Sequence, residues 1–411
     1  MTAVLFENIS ELRTVSALGT LANAAIVADD GRIAWIGPTT QAPAADTRID
    51  LGGRAVLPGW VDSHTHMLFD GNRAAEFEAR MAGQSYAAGG INVTVTATRA
   101  ATDTRLEQLL YDRINAARAG GTTTLETKTG YGLDVESERR AARIAATGAD
   151  DVTFLGAHVT PVGADPDDYV DLVCGDMLDA VAPYVHWIDV FCERGAFDES
   201  QSRKVLQAGR ARGLGLRVHG NQLGAGPGVR LACELGAASV DHVNYLDSED
   251  VERLAASDTV ATVLPACDLS TREPFAPARQ LLDAGAHVAI ASNLNPGTSY
   301  TSSMNFCVAT AVLQMRLSLD EAITAATRGG AKALRRHDVG GGVDPQGRPA
   351  VGTLAVGARC NLHVLNTNHA IDLAYRPGMP LTWGTFIDAV PVRDAVGVIA
   401  SHRRDSTESV R

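Results

Sequence analysis

His64 and His66 stand two residues apart in the run VLPGWVDSHTH (56–66). Alternate side chains of an extended strand leave the same face, so these two imidazoles can meet one metal ion. The spacing alone serves a pair of hydrogen-bonded core histidines equally well. Further polar residues close other β-like runs: His158, His219, Asp241 beside His242, and Asn293. Imidazole donors gathered at one point, with a further histidine to move protons, would suit hydrolysis assisted by a divalent ion. The six cysteines (Cys174, Cys192, Cys233, Cys267, Cys307 and Cys360) include no C-x-x-C pair, which predicts buried thiols and neither a disulfide framework nor a thiolate zinc site.

Those residues need a scaffold that brings strand ends together. Eight short apolar runs alternate with Ala/Arg/Glu-rich stretches of helical period: 56–66, 121–128, 152–158, 187–192, 214–220, 238–243, 260–265 and 286–293. Eight such units predict an α/β fold of the (β/α)8 TIM-barrel type, whose strands converge at their C-terminal ends on one mouth. A doubly wound open sheet would want a glycine-rich phosphate loop after an early strand, and none is visible. Residues 21–57 carry β-like runs with Asp30-Gly31 as a hairpin signal, and 351–365 and about 383–400 read as β again. The expectation is a small β-sandwich domain built from both chain ends (1–57 and 350–411), with the barrel domain (58–349) inserted between them.

The 411 residues suit a large body with a smaller companion, and 45% apolar with 20% charged residues describes an ordinary globular chain. A net charge of −12 argues against a nucleic-acid partner and for a small-molecule substrate. No apolar run approaches the ~18 residues of a membrane span, and the first residues lack a signal-peptide pattern. The expectation is a cytoplasmic protein with no membrane partner.

The segment PGWVDSHTH is similar to the first-strand motif of the amidohydrolase superfamily, and VGTLAVGARCNLHVL resembles the closing motif of its small β domain. Within that superfamily, HTHMLFDGNR, SYAAGGI, TKTGYGLD, TFLGAHVTP, DVFCERGAF, HGNQL, DHVNYL and NPGTSY resemble the imidazolonepropionase family, in order, across about residues 56–305. The resemblance implies metal ligation by His64, His66 and His219, with a fourth ligand at Asn293. It implies a substrate pocket lined by Arg73, Tyr86, Tyr131, His158, Gln222, His242, Asn295, Gly297 and Thr298, with His242, Gln222 and Asn293 closest to the chemistry. Arg73 offers a fork for a carboxylate, and the 295–298 turn offers backbone N–H groups and a hydroxyl. Binuclear members of the superfamily bridge two ions with a carboxylated lysine, typically on the fourth strand. WIDVFC has no lysine, so one divalent ion is expected, Zn2+ or Fe2+. The resemblance also implies a homodimer. The implied reaction is opening of a cyclic amide, 4-imidazolone-5-propanoate, by water.

The chain departs from the family pattern at two places. Asn293 stands where the family carries aspartate, and Gln222 where many members carry glutamate. A neutral amide offers a carbonyl oxygen but no useful basicity, which leaves His242 as the proton acceptor. Three readings stay open at this stage: an engineered inactive variant, a natural enzyme whose base is His242, and a relative with another substrate. The rival functions are another reaction on the same scaffold (heterocycle deamination, or hydrolysis of a sulfur-substituted imidazolone) and a non-catalytic metal-binding scaffold.

Overall fold

The structure is a computed structural model that describes residues 3–83 and 90–392. Eight parallel strands follow one another round a barrel in chain order: β5 (Trp60–Asp62), β6 (Thr122–Lys128), β7 (Asp151–Ala157), β8 (Trp187–Cys192), β9 (Gly215–Gly220), β10 (Ser239–His242), β11 (Val260–Val263) and β12 (Val288–Ile290). Each lies within one of the eight apolar runs, except that β7 begins one residue earlier, at Asp151. Their backbones are buried on both faces, which is why the runs read as nearly continuous apolar stretches. Helices over Asp103–Ala119, Val135–Ala145, Glu199–Ala211 and Ser248–Ala255 return the chain between strands. Side-chain caps from Thr102, Asp134, Asp198 and Asp247 start them, and Asp198 with Gln201 forms a complete capping box.

His64 and His66 lie just beyond the end of β5, not on it, yet their backbone stays locked. Lys128 N–H donates to Thr65 O at 2.9 Å on one side. On the other, Asn293 N–H donates to His64 O at 3.0 Å and His66 N–H to Leu294 O at 3.2 Å. This short extended segment therefore joins β6 to the chain following β12 and brings the two ends of the barrel sheet together.

The chain ends supply β1 (Val4–Arg13), β2 (Thr20–Asp29), β3 (Arg32–Pro38), β4 (Thr47–Pro58), β13 (Leu362–Leu365), β14 (Thr382–Ile387) and β15 (Val390–Pro391). They form one mixed sheet in the order β15-β14-β13-β4-β1-β2-β3, where two facing sheets were expected. The sheet curls on itself. Phe6 on β1 and Phe386 on β14 are three strands apart, about 14 Å if the sheet were flat, but their rings are 5.1 Å apart. One apolar cluster fills the fold, including Phe6, Ile9, Leu12, Ile26, Val56 and Leu362. The turn Asp30-Gly31 has φ of 48° and 74°, the left-handed pair that a two-residue hairpin requires. All six cysteines are free thiols.

Candidate active site

The barrel mouth gathers four imidazoles. Donor atoms of His64, His219 and His242 all lie within 4.8 Å of one another, and His66 Nε2 is 3.4 Å from His219 Nε2. All four are buried, and burial holds their pKa down: well below the ordinary value for His64, His66 and His219, and to about 4 for His242. They are neutral at pH 7, with lone pairs available. His64 Nδ1 faces Asp241 Oδ2 at 2.7 Å, and His219 Nδ1 faces Asp189 Oδ2 at 3.1 Å, so both rings are turned with Nε2 toward the centre. A carboxylate behind an imidazole is the usual arrangement for fixing a metal-binding histidine. His64 Nε2, His66 Nδ1, His242 Nδ1 and Asn293 Oδ1 are buried without a hydrogen-bond partner among the described residues.

Beneath the histidines lies a layer of fully buried charge. Lys128 Nζ is 2.9 Å from Glu126 Oε1 and 3.1 Å from Asp189 Oδ2, and Arg217 Nη2 is 3.2 Å from Asp241 Oδ2. Arg217 also donates to Ser63 O at 2.7 Å, and Glu126 Oε2 accepts the Thr65 N–H at 3.0 Å. Buried charges persist only when paired and hydrogen-bonded, and here the pairing fixes the first-strand segment and both carboxylates behind His64 and His219. Burial raises Asp189, with Lys128 opposing it; for Asp241 burial also pushes up, but Arg217 and Lys128 pull it below the usual range.

The loops beyond the strands carry the pocket wall. Tyr131 sits in a bend held by a buried carboxylate: Glu138 Oε1 accepts from Gly132 and Leu133 N–H at 2.7 and 3.0 Å, and Oε2 from Gly130 N–H at 3.1 Å. His158 Nδ1 bonds to Gly130 O at 3.0 Å, and its ring stacks on His66 at 5.5 Å between centroids. Gln222 is fixed through its backbone N–H, which donates to Glu193 Oε1. His242 has φ of 84° and Asn293 of 66°, backbone states that most side chains avoid and that cluster at functional sites. The cavity of about 120 Å³ touches His66, Tyr131, His158, Gln222, His242 and Asn293, which leaves room for a small molecule.

Two expectations change in detail. Three N–H groups of the 295–299 turn are bonded within it: Asn295 and Ser299 bond each other, and Gly297 N–H donates to Asn295 Oδ1 at 2.9 Å. Asn295 and Thr298 line the cavity; Gly297 is not among its lining residues, and a methyl group there would sit 2.2 Å from Arg73 Nη1. Arg73 is a cavity residue with a structural partner as well, since its Nε and Nη2 donate to Glu76 at 2.8 and 2.6 Å. Tyr86 lies outside the described residues.

The donor set fits a divalent ion. Two nitrogens each ~2.1 Å from one ion at a tetrahedral angle lie about 3.4 Å apart, the spacing found between His66 and His219.

Comparison with known proteins places the chain. An imidazolonepropionase of Arthrobacter sp. (strain FB24) is 62% identical over 402 residues, covering 95% of this chain and all of that one. Another, of Saccharopolyspora erythraea, is 65% identical over 383 residues, 93% of this chain and 97% of the relative. The chain belongs to the imidazolonepropionase family. No family model matches it. Among solved structures, atrazine chlorohydrolase TrzN from Arthrobacter aurescens TC1 complexed with zinc has a TM-score of 0.72 at 16% identity, covering 97% of this chain and 99% of that one. An adenosine deaminase from Xanthomonas campestris with bound zinc has a TM-score of 0.70 at 17% identity, covering 99% of both chains. At these identities the likeness speaks for the fold.

In this member of the imidazolonepropionase family, every expected site residue among those described falls at the barrel mouth or directly behind it. The sequence reading missed Glu126, Lys128, Glu138, Asp189 and Arg217, all buried. For the four on strands the signal was present: charges inside β-branched runs such as TTTLETK and WIDVFC have nowhere to go on a buried strand except the barrel interior, whereas Glu138 lies on the helix Val135–Ala145 and carries no such signal. Asp189 lies on the fourth barrel strand, which has no lysine, and the lysine it pairs with comes from the second strand.

Proposed function

We propose that this chain hydrolyses 4-imidazolone-5-propanoate to N-formimino-L-glutamate, with one divalent cation, Zn2+ or Fe2+, held by His64, His66 and His219 and completed by the Asn293 carbonyl oxygen. The observation that carries the reading is the convergence of four neutral imidazoles on the floor of a small-molecule cavity, in a chain of the imidazolonepropionase family. A divalent cation there supplies Lewis acidity, which makes water a nucleophile near neutral pH and polarises a carbonyl.

The chain's own groups do the rest. His242, neutral and facing the cavity, accepts a proton from the attacking water and returns it to the ring nitrogen as the amide C–N bond breaks; the water oxygen stays in the new carboxylate. Tyr131, His158 and Gln222 hold the ring, each on a loop already fixed by Glu138, Gly130 O or Glu193. Thr298 Oγ1 accepts from Asn293 Nδ2 at 3.0 Å, which leaves the Asn293 carbonyl oxygen turned away from the turn. A homodimer is the assembly that the family resemblance supports, readable by light scattering.

The test is metal analysis coupled to a ring-opening assay on purified protein. Stoichiometric metal and chelator-sensitive formation of N-formimino-L-glutamate are expected. Ammonia release from a heterocycle without ring opening would favour a deaminase, and bound metal with no turnover on any cyclic amide would favour a binding scaffold.

A further inference from the structure

Among the described residues the cavity wall carries two arginines, Arg73 and Arg194, and no carboxylate. Arg73 is paired: Glu76 takes two of its donors, and only 4% of its side chain is exposed. It brings hydrogen bonds to the cavity and little net charge. Arg194 differs on each count. It is exposed, it follows β8 in a loop whose next residues are Gly195 and Ala196, and its guanidinium forms no ion pair with any described residue.

The position of Arg194 is fixed by the loops around it. Glu193, the preceding residue, accepts the Gln222 backbone N–H and so ties the loop after β8 to the loop after β9. A methyl group placed on Gly224 would lie 3.9 Å from Arg194 Nη2, so the guanidinium reaches across to that second loop. Arg194 and Leu223 line both the cavity and an outer groove. They form the wall between the reaction space and solvent, and the guanidinium is a charged group on it that makes no ion pair with a described residue.

A molecule of net charge −12 repels anions at long range, and an unpaired cation at the rim is what an anionic ligand meets on entering. We propose that Arg194 is a specificity-determining residue that receives the carboxylate side chain of the substrate, while Arg73 orients it through hydrogen bonds. This rests on the imidazolone reading above. The chemistry is that of a guanidinium with a carboxylate, a two-donor fork that a neutral amide cannot replace.

The experiment compares imidazolone propanoate with its neutral propanamide analogue in the parent, Arg194→Gln and Arg194→Lys. For the carboxylate substrate, Arg194→Gln raises KM at least ~tenfold with kcat and melting temperature unchanged, and Lys recovers part of the loss. For the amide, parent and variants share one KM. Equal KM values for the carboxylate substrate, or equal losses on both substrates, overturn the assignment. If the parent opens neither ring, the reaction reading has failed, and calorimetric titration of the same two compounds decides Arg194 separately. A preference for the carboxylate in the parent that vanishes in Arg194→Gln upholds it, and no preference in the parent overturns it.

Discussion

His66 and His219 face each other through their Nε2 atoms at 3.4 Å, while His219 Nδ1 is held 3.1 Å from Asp189. The pair comes from two distant points of the chain and has the spacing of co-ligands of one ion. His242 belongs to a wider group, within 4.8 Å of His64 and His219. His66→Ala and His219→Ala should each empty the site, and His242→Ala should keep one equivalent of metal while losing turnover. Elemental analysis checks this. Two ions per chain in the parent, or metal lost from His242→Ala and kept in His66→Ala, would reverse the assignment.

Asn293 is the residue at which a single oxygen-for-nitrogen change should matter most. Its Nδ2 donates to Thr298, and Thr298 can donate back to a carboxylate, so Asn293→Asp fits without disturbing packing. An aspartate adds an anionic donor and a second proton acceptor. The expected gain in kcat/KM is at least ~10²-fold, the lower end for a positioned base. If His242 already carries that role fully, the Asp variant gains little and His242→Ala abolishes the parent's activity. Rates for the parent, both single variants and the pair separate the two outcomes.

Glu138 is a positioning residue for Tyr131. Its two oxygens hold three backbone N–H groups of the 130–133 bend, and they do so from a fully buried site. Glu138→Ala leaves those donors unsatisfied at a cost of about 1–3 kcal/mol each at most, and frees the bend. The expected outcome is a fall of about 10²-fold in kcat/KM from misplacement of the ring-holding groups, with metal content still one per chain. Loss of metal together with activity would show a general collapse of the mouth instead.

His363 should make stability fall on the acid side. It is fully buried against Trp60, 5.1 Å between rings, with Nε2 2.9 Å from Thr382 Oγ1, and burial pushes its pKa down to about 3. The unfolded chain takes up this proton near pH 6.5, and the folded chain does not until about pH 3. The folded state thus keeps the full contribution of neutral His363 above pH 6.5 and loses it as pH falls toward 3. At pH 5 the loss is about 2 kcal/mol, from ~1.4 kcal/mol per unit over 1.5 units. Melting temperatures of the parent and His363→Gln should converge or cross between pH 7 and 5. Curves that stay parallel would show that His363 does not titrate with unfolding.

The alternation of apolar runs and amphipathic stretches determined the barrel from sequence, because a parallel strand buried on both faces has a local signature. The H-x-H pair, the polar strand ends and the ordered family motifs marked out most of the site for the same reason: each is a local pattern. The tertiary structure alone decided how those residues are held. That Lys128 of β6 would reach Asp189 of β8, and that Glu138 would turn inward from a helix to hold the Tyr131 bend, are contacts set by packing, not by spacing along the chain. The curl that brings Phe6 onto Phe386 is of the same kind. Strand periodicity fixes which face of a strand is apolar, but the distance between faces depends on sheet curvature, which is a property of the assembled sheet.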